Sequence, residues 1–321
     1  MSEAPKFKEI NAYPSLPSLQ DVQVRISELE GLDLAKADFE FIKDRLRLLV
    51  HGFSVQAFIF EKGRIFYRGR LLESPPKSIA EVGMRSAELN EGYGRLHRPK
   101  TTVLYTNLAV GSVSREIKAE PGKTIALSCF RAKRPFHAIG AGLDDEAIRG
   151  KGWSRNGMDW SRLKQGELAR TLNIEVNRFL AKQFVKDVPG DQDFQYMISA
   201  AWAESILGAN AVDAVVYPSV ANSAISDNVG FKASSVDDLL ELVRVDFIRL
   251  DDLPQGANTI TFLNKSTSIV ADGTLLFSSP TPFDVIKPWS GTVDLLSFQL
   301  EGTRWTMTTR AGELLAIERE S

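Results

Sequence analysis

Arginine, tyrosine, glutamate and serine side chains occur in three segments of this chain where folding alone does not require them. The first is an aromatic run that ends in two arginines, Ile65-Phe66-Tyr67-Arg68-Gly69-Arg70. The second holds Gly94-Arg95, Leu104-Tyr105 and Glu116. The third is Asp213-Ala214-Val215-Val216-Tyr217-Pro218-Ser219, followed by Asn228. Guanidinium groups bind phosphate in a bidentate manner, and a carboxylate stabilises positive charge on a reacting sugar, so these residue types suit nucleotide chemistry.

Each of these side chains also has an ordinary structural explanation. An arginine after a glycine, such as Arg95, is commonly a solvated loop charge, and Glu116 between Arg115 and Lys118 fits an exposed helix face. Ser219 follows a proline, which is typical of a turn or a helix N-cap. Tyr105 follows Leu104 in a predicted strand, where successive side chains alternate between the two faces, and it fits a core position. Taken one at a time, the three segments therefore do not define a site.

Taken in order, the segments resemble the RES domain, a family named for its arginine, glutamate and serine. The resemblance covers roughly residues 63 to 251. Its motifs are, in chain order, Tyr67-Arg68-Gly69-Arg70, Gly94-Arg95, Leu104-Tyr105, Glu116, Asp213 to Ser219, and Asn228.

The resemblance implies an α+β fold with an ADP-ribosyltransferase-like split β-sheet core and flanking helices. It also implies cleavage of the bond between nicotinamide and ribose in NAD, which is then a substrate, with no cofactor. Arg95 is expected to clamp the pyrophosphate with support from Arg68, and Tyr105 to face the nicotinamide or the ribose. Glu116 is expected to stabilise the positive charge on the ribose.

The third segment completes the predicted site. Ser219 and Asn228 are expected to hydrogen-bond the ribose or the carboxamide, and Tyr217 to contact the substrate. Ser219 is not predicted to be a nucleophile, because a serine hydrolase needs a G-x-S-x-G elbow and a histidine base. No histidine follows His137 in the chain.

The sequence leaves the acceptor of ADP-ribose open, since phosphate and water need no dedicated motif. A mono-ADP-ribosyltransferase that modifies a protein is a second interpretation, and a RES-like module that binds a nucleotide or a partner without turnover is a third. The resemblance also implies a separate antitoxin protein as a partner.

The amino-acid composition indicates which binding partners and which cellular compartment to expect. The 321 residues include 39 Lys+Arg and 41 Asp+Glu, for a net charge of −2, so no charge excess favours nucleic acid or an anionic membrane. Neither a leader nor a membrane span is apparent, and we expect a cytoplasmic protein. Cys129, in the apolar run TIALSCF, is predicted to be a buried strand thiol, and the spacing of the three histidines predicts no metal site.

The pattern of apolar residues predicts the elements that must position these side chains. An amphipathic helix is expected over 34–50, a hairpin over 55–69, a strand, helix and strand from 101 to 132, and two helices over 157–188 and 191–208. The run AVVYPS reads as a buried strand. We predict an N-terminal segment over 1–60, an NAD-cleaving domain over 61–254, and a β-rich C-terminal extension over 255–321.

Overall fold

A computed structural model describes most of the chain. The residues it describes are 16–50, 52–144, 166–252, 258–278, 295–301, 304–309 and 314–318. The predicted helix start at 157 lies outside these residues. None of the described helices combines the length and the apolar composition that crossing a bilayer requires.

The elements alternate irregularly between helix and strand, as expected for a mixed α+β fold. The helices are α1 (Leu19–Glu30), α2 (Phe39–Val50), α3 (Ile79–Val82), α4 (Val113–Glu116), α5 (Glu167–Phe184), α6 (Met197–Leu207) and α7 (Val236–Leu239). The first strands are β1 (Ala57–Phe60), β2 (Ile65–Leu71), β3 (Val103–Asn107), β4 (Thr124–Ala132), β5 (Phe136–Gly140), β6 (Ala214–Pro218) and β7 (Asp227–Lys232). The remaining strands are β8 (Leu240–Asp252), β9 (Asn258–Ile269), β10 (Leu275–Ser278), β11 (Leu295–Glu301), β12 (Arg304–Thr309) and β13 (Leu314–Glu318). The α+β class predicted from the sequence is confirmed.

One predicted pairing is wrong. The runs VQAFIF and RIFYRG form β1 and β2, but these strands do not pair with each other as a hairpin. Instead β1 pairs antiparallel with β5, which places Phe60 opposite Phe136. Strand β2 pairs antiparallel with β4, which places Ile65 opposite Arg131. Both strands thus pair with partners distant in the chain, and the Gly63 turn only joins them.

The described part of the chain divides into two compact units, each built from several separate segments. The first unit takes its described residues from Met1–Arg64, Met84–Thr106 and Ala132–Leu239, so it includes the N-terminal helices. The second takes them from Ile65–Gly83, Asn107–Arg131 and Leu240–Ser321. Strands β8 and β9, on the two sides of residue 255, pair antiparallel within the second unit.

The first unit packs helices α1, α2, α5 and α6 with strands in the order β1-β5-β6-β7-β3. Strands β5 and β6 pair parallel and are buried along their whole length, which explains their apolar sequences. Helix α6 is also mostly buried, which explains why it carries small and apolar residues on most of its sides. The core of this unit includes Leu46, Phe179, Phe184, Trp202 and Val215, all at most 2% exposed.

The second unit joins β2, β4, β8 and β9 in that order, with β10 also paired to β9. The strands β13, β12 and β11 continue from β9. Residues on β4 and β8 form an apolar cluster with Tyr67, and this cluster includes Cys129 at 2% exposure. Burial raises the pKa of the Cys129 thiol well above its usual range. The predicted buried thiol is confirmed.

Helix α4 lies against β2 at the glycine between the two motif arginines. A Cβ atom on Gly69 would lie 2.5 Å from Cγ1 of Val113 and 3.1 Å from Cδ1 of Ile117. Val113 is 4% exposed and β-branched, so it cannot move aside by a simple rotation. The close approach of α4 to β2 therefore requires glycine at this position.

We predict that Gly69→Ala lowers the free energy of unfolding by about 1 to 3 kcal/mol, because overpacking forces the α4 side chains off their rotamers. The matched control is Gly190→Ala, since a methyl group at Gly190 would have no other atom within 4 Å and the backbone there has no positive φ. Chemical denaturation measures both variants. Equal stability of Gly69→Ala and the wild type would contradict the packing of α4 on β2.

Candidate functional site

The loop that carries Arg95 is closed at its base by hydrogen bonds around Asn90. Lys100 N donates to Asn90 O at 2.8 Å, and Asn90 Nδ2 donates to Thr101 O at 2.8 Å. Within the loop, Gly94 N donates to His97 O at 2.9 Å and forms a tight turn. The turn places Arg95 and Leu96 at its tip.

Both glycines of Gly92-Tyr93-Gly94 are required by close neighbours. A Cβ on Gly92 would overlap the carboxylate of Asp193, which accepts a hydrogen bond from Tyr93 N at 2.8 Å. A Cβ on Gly94 would overlap the His97 imidazole and lie 3.0 Å from the Tyr105 hydroxyl. The glycines therefore allow the loop to approach both β3 and the segment that precedes α6.

The Arg95 guanidinium is bound inside the first unit rather than solvated. Nη1 donates to Phe184 O, and Nη2 donates to Lys186 O at 2.9 Å and lies 3.4 Å from the Tyr196 hydroxyl. Cζ lies 4.9 Å from the centroid of the Tyr196 ring and 5.9 Å from that of Tyr217. Such contacts combine charge-assisted hydrogen bonds with cation–π attraction, so Arg95 joins its loop to the end of α5.

Tyr105 supports the same loop through its hydroxyl. The hydroxyl accepts a hydrogen bond from Leu96 N at 3.0 Å and lies 2.7 Å from Nδ1 of His97. The direction of the second bond depends on the tautomer of His97, because the hydroxyl can either donate to Nδ1 or accept from it. Burial, with a smaller effect from the charge of Arg85, lowers the pKa of His97 and favours the neutral imidazole.

Ion pairs attach the far side of the loop to the helices. Arg98 donates to Glu40 at 2.6 Å and lies 3.0 Å from Glu204, which is also 2.5 Å from Lys43. The Arg98 guanidinium lies 5.1 Å from the centroid of Phe39. Helix α2, in the predicted N-terminal segment, thus contacts the loop that carries Arg95.

The third segment lies on β6, β7 and the turn between them. Tyr217 on β6 pairs directly with Asn228 on β7. Ser219 is fully buried, and its Oγ accepts a hydrogen bond from Asn222 N at 3.1 Å. This hydrogen bond caps the turn after Pro218, the role that the neighbouring proline favours. It also holds the Ser219 hydroxyl in place.

The structure thus brings five predicted residues into one unit: Arg95, Tyr105, Tyr217, Ser219 and Asn228. Arg68 and Glu116 belong to the second unit, where Arg68 pairs with Ser128 on β4 and Glu116 is the last residue of α4. Both side chains are half-buried. The next motif arginine, Arg70, donates to Glu81 O and Gly83 O at 2.8 and 2.9 Å and stabilises the local structure.

Sequence reasoning missed the residues that hold Arg95 and its loop in place. Tyr196, Lys186 and Asp193 come from a connection about ninety to a hundred positions later in the chain, and no spacing in the sequence relates them to Arg95. Their residue types carry no signal either, since a tyrosine and an aspartate before an apolar helix are common. Only the packing of α5 and α6 in the first unit places them here.

Among the described residues, no group of three or more His, Cys, Asp or Glu side chains is arranged to hold a metal ion. Comparison of the chain with models of known protein families, with curated proteins and with solved structures finds no match.

We predict that Tyr105→Phe lowers the free energy of unfolding by about 1 to 3 kcal/mol, because it leaves Leu96 N–H and Nδ1 of His97 without their hydroxyl partner. Tyr196→Phe is the control, since it keeps the ring against Arg95 and removes only the 3.4 Å contact. Thermal or denaturant unfolding compares the two. Equal losses for both variants would show that the Tyr105 hydroxyl does not support the loop.

Proposed function

We propose that this chain is a RES-like enzyme that cleaves the nicotinamide–ribose bond of NAD and transfers ADP-ribose to phosphate or water. We also propose that the mixed α+β architecture contains an ADP-ribosyltransferase-like split β-sheet. The proposal rests on the motif order in the sequence and on how the first unit arranges the residues of those motifs.

The observation that carries the proposal is the convergence of residues that are far apart in the chain. Arg95 lies 5.9 Å from the ring of Tyr217, which pairs with Asn228 and precedes the buried Ser219 by two positions. The sequence singled out these residues for their chemistry and not for their proximity. The contact between Arg95 and the segment that holds the other three residues supports a common site.

The donors of Arg95 are only partly used within the protein. Of its five N–H groups, one bonds Phe184 O and two point to Lys186 O and the Tyr196 hydroxyl. Among the described residues no acceptor lies within hydrogen-bond distance of Nε or of the second Nη1 proton. Those two donors, on a guanidinium fixed by its other contacts, are the groups we assign to the pyrophosphate of NAD.

The reaction we propose breaks one bond and forms one. The bond from ribose C1 to the nicotinamide nitrogen breaks, and its electron pair neutralises the positive charge of the pyridinium, so nicotinamide leaves neutral. The ribose C1 and ring oxygen then carry positive charge until an oxygen of phosphate or water bonds to C1. With water as acceptor, one proton is released.

Glu116 is the group we assign to this developing positive charge. A carboxylate near the ribose stabilises an oxocarbenium-like transition state and accepts a hydrogen bond from a ribose hydroxyl. Cys129, which is buried and holds its proton at neutral pH, has no part in the proposed chemistry.

Incubation of the purified chain with NAD, with and without phosphate, tests the proposal when the products are identified by mass spectrometry. We expect nicotinamide in both reactions, with ADP-ribose in the absence of phosphate or a phosphate ester of ADP-ribose in its presence. ADP-ribose attached to a protein would instead favour the mono-ADP-ribosyltransferase. Intact NAD after prolonged incubation would overturn the proposal.

We predict that Glu116→Gln lowers NAD cleavage by roughly 100-fold or more, because loss of one preorganised electrostatic group commonly reduces turnover by that factor. The control is Glu120→Gln, a nearby exposed carboxylate that we expect to leave turnover unchanged. Both rates are measured by nicotinamide release. Wild-type turnover in Glu116→Gln would exclude the carboxylate from the reaction.

A further inference from the structure

Two cationic residues, Arg95 and Lys186, are in contact where the end of α5 meets the loop that carries Arg95. Lys186 follows the C-terminus of α5, and its carbonyl oxygen accepts the hydrogen bond from Arg95 Nη2 at 2.9 Å. Both side chains are half-buried. Burial first, and then the charge of Arg95, lowers the pKa of the Lys186 ammonium, while Glu30 acts in the opposite direction.

Neither cation has a counter-ion within the part of the chain that the structure describes. No carboxylate oxygen there lies within 4.0 Å of Arg95 or Lys186, and Glu30 pairs instead with Lys182 at 3.6 Å. Other cations of the same unit are paired, as Arg98 with Glu40 and Lys43 with Glu204 show. Arg95 and Lys186 thus differ from those two pairs.

Two like charges in a half-buried place destabilise the fold unless an anion compensates them. Arg95 is compensated in part by carbonyl dipoles and two aromatic rings. The Lys186 ammonium makes no hydrogen bond or ion pair with any described residue, and it keeps three donors for a ligand. Arg95 retains two donors as well.

We propose that Lys186 is a further anion-binding residue and that its ammonium, together with the remaining donors of Arg95, binds the phosphate groups of the ligand. Arg95 supplies directional hydrogen bonds from a fixed guanidinium, and Lys186 supplies a mobile point charge. The choice of pyrophosphate as ligand rests on the proposed function, whereas the presence of an anion site does not. Free phosphate and the pyrophosphate of a nucleotide share this chemistry.

Titration calorimetry of the full chain with pyrophosphate, inorganic phosphate and ADP-ribose tests the site. We expect Lys186→Gln to weaken pyrophosphate and ADP-ribose binding by at least about tenfold and Lys186→Arg to retain most of it, since one lost charge-assisted contact has that effect. Lys182→Gln, which removes an exposed cation four positions earlier, is the matched control and should bind like the wild type. Unchanged affinity in Lys186→Gln, or a wild type that binds none of the three probes, would overturn the proposal.

Stability without ligand separates anion binding from a structural role. Because the folded state lowers the pKa of Lys186, it disfavours the charge, and Lys186→Gln should unfold at the same or a higher temperature than the wild type. Pyrophosphate should then raise the unfolding temperature of the wild type but not that of Lys186→Gln. A large loss of stability in Lys186→Gln would show that Lys186 holds the fold together, and would contradict the proposal.

The two proposals fail in different ways. A chain that binds pyrophosphate through Lys186 but leaves NAD intact supports the anion site and excludes the cleavage reaction. A chain that cleaves NAD with the same KM in Lys186→Gln and in the wild type supports the reaction and excludes Lys186 from the site.

Discussion

The arrangement of the first unit depends on how one guanidinium is neutralised. Arg95 is half-buried and has no carboxylate partner among the described residues, so carbonyl oxygens at the end of α5 and the faces of Tyr196 and Tyr217 compensate its charge. These contacts attach a loop near residue 95 to segments about ninety and about a hundred and twenty positions later. Removal of the guanidinium would therefore loosen the loop, the end of α5 and the approach to β6 together.

Other contacts of that loop keep the guanidinium in one place. Asp193 binds the backbone at Tyr93, the Tyr105 hydroxyl binds it at Leu96, and Arg98 forms ion pairs with two helices. Each contact uses a different kind of group, so no single change in pH or salt releases all of them. Such support would favour the phosphate contact proposed for Arg95, because a fixed donor loses little freedom when a ligand binds. The loop that defines the candidate site thus also joins several elements of the first unit.

The second unit holds Arg68 and Glu116, and a different constraint positions them. Gly69 allows α4 to approach β2 closely, and α4 ends at Glu116. The packing of Val113 and Ile117 against that glycine therefore sets where the Glu116 backbone lies on this unit. Arg70, two positions after Arg68 on β2, binds carbonyl oxygens of the α3 segment. Of the two arginines in this short motif, Arg70 therefore has a structural role, and the substrate contact of Arg68 stays a prediction.

The sequence by itself determined the α+β class, most strands and the burial of Cys129. It also identified the residues whose side chains could take part in chemistry. These properties follow from local periodicity and side-chain type. The sequence did not determine the partners of β1 and β2, since a Gly63 turn fits a hairpin equally well and only the tertiary structure pairs β1 with β5 and β2 with β4. Nor did it show that Arg95 meets Phe184, Lys186 and Tyr196. Those contacts arise where α5 ends and α6 begins, and the distance between such points in space is set by packing of the whole unit rather than by spacing along the chain.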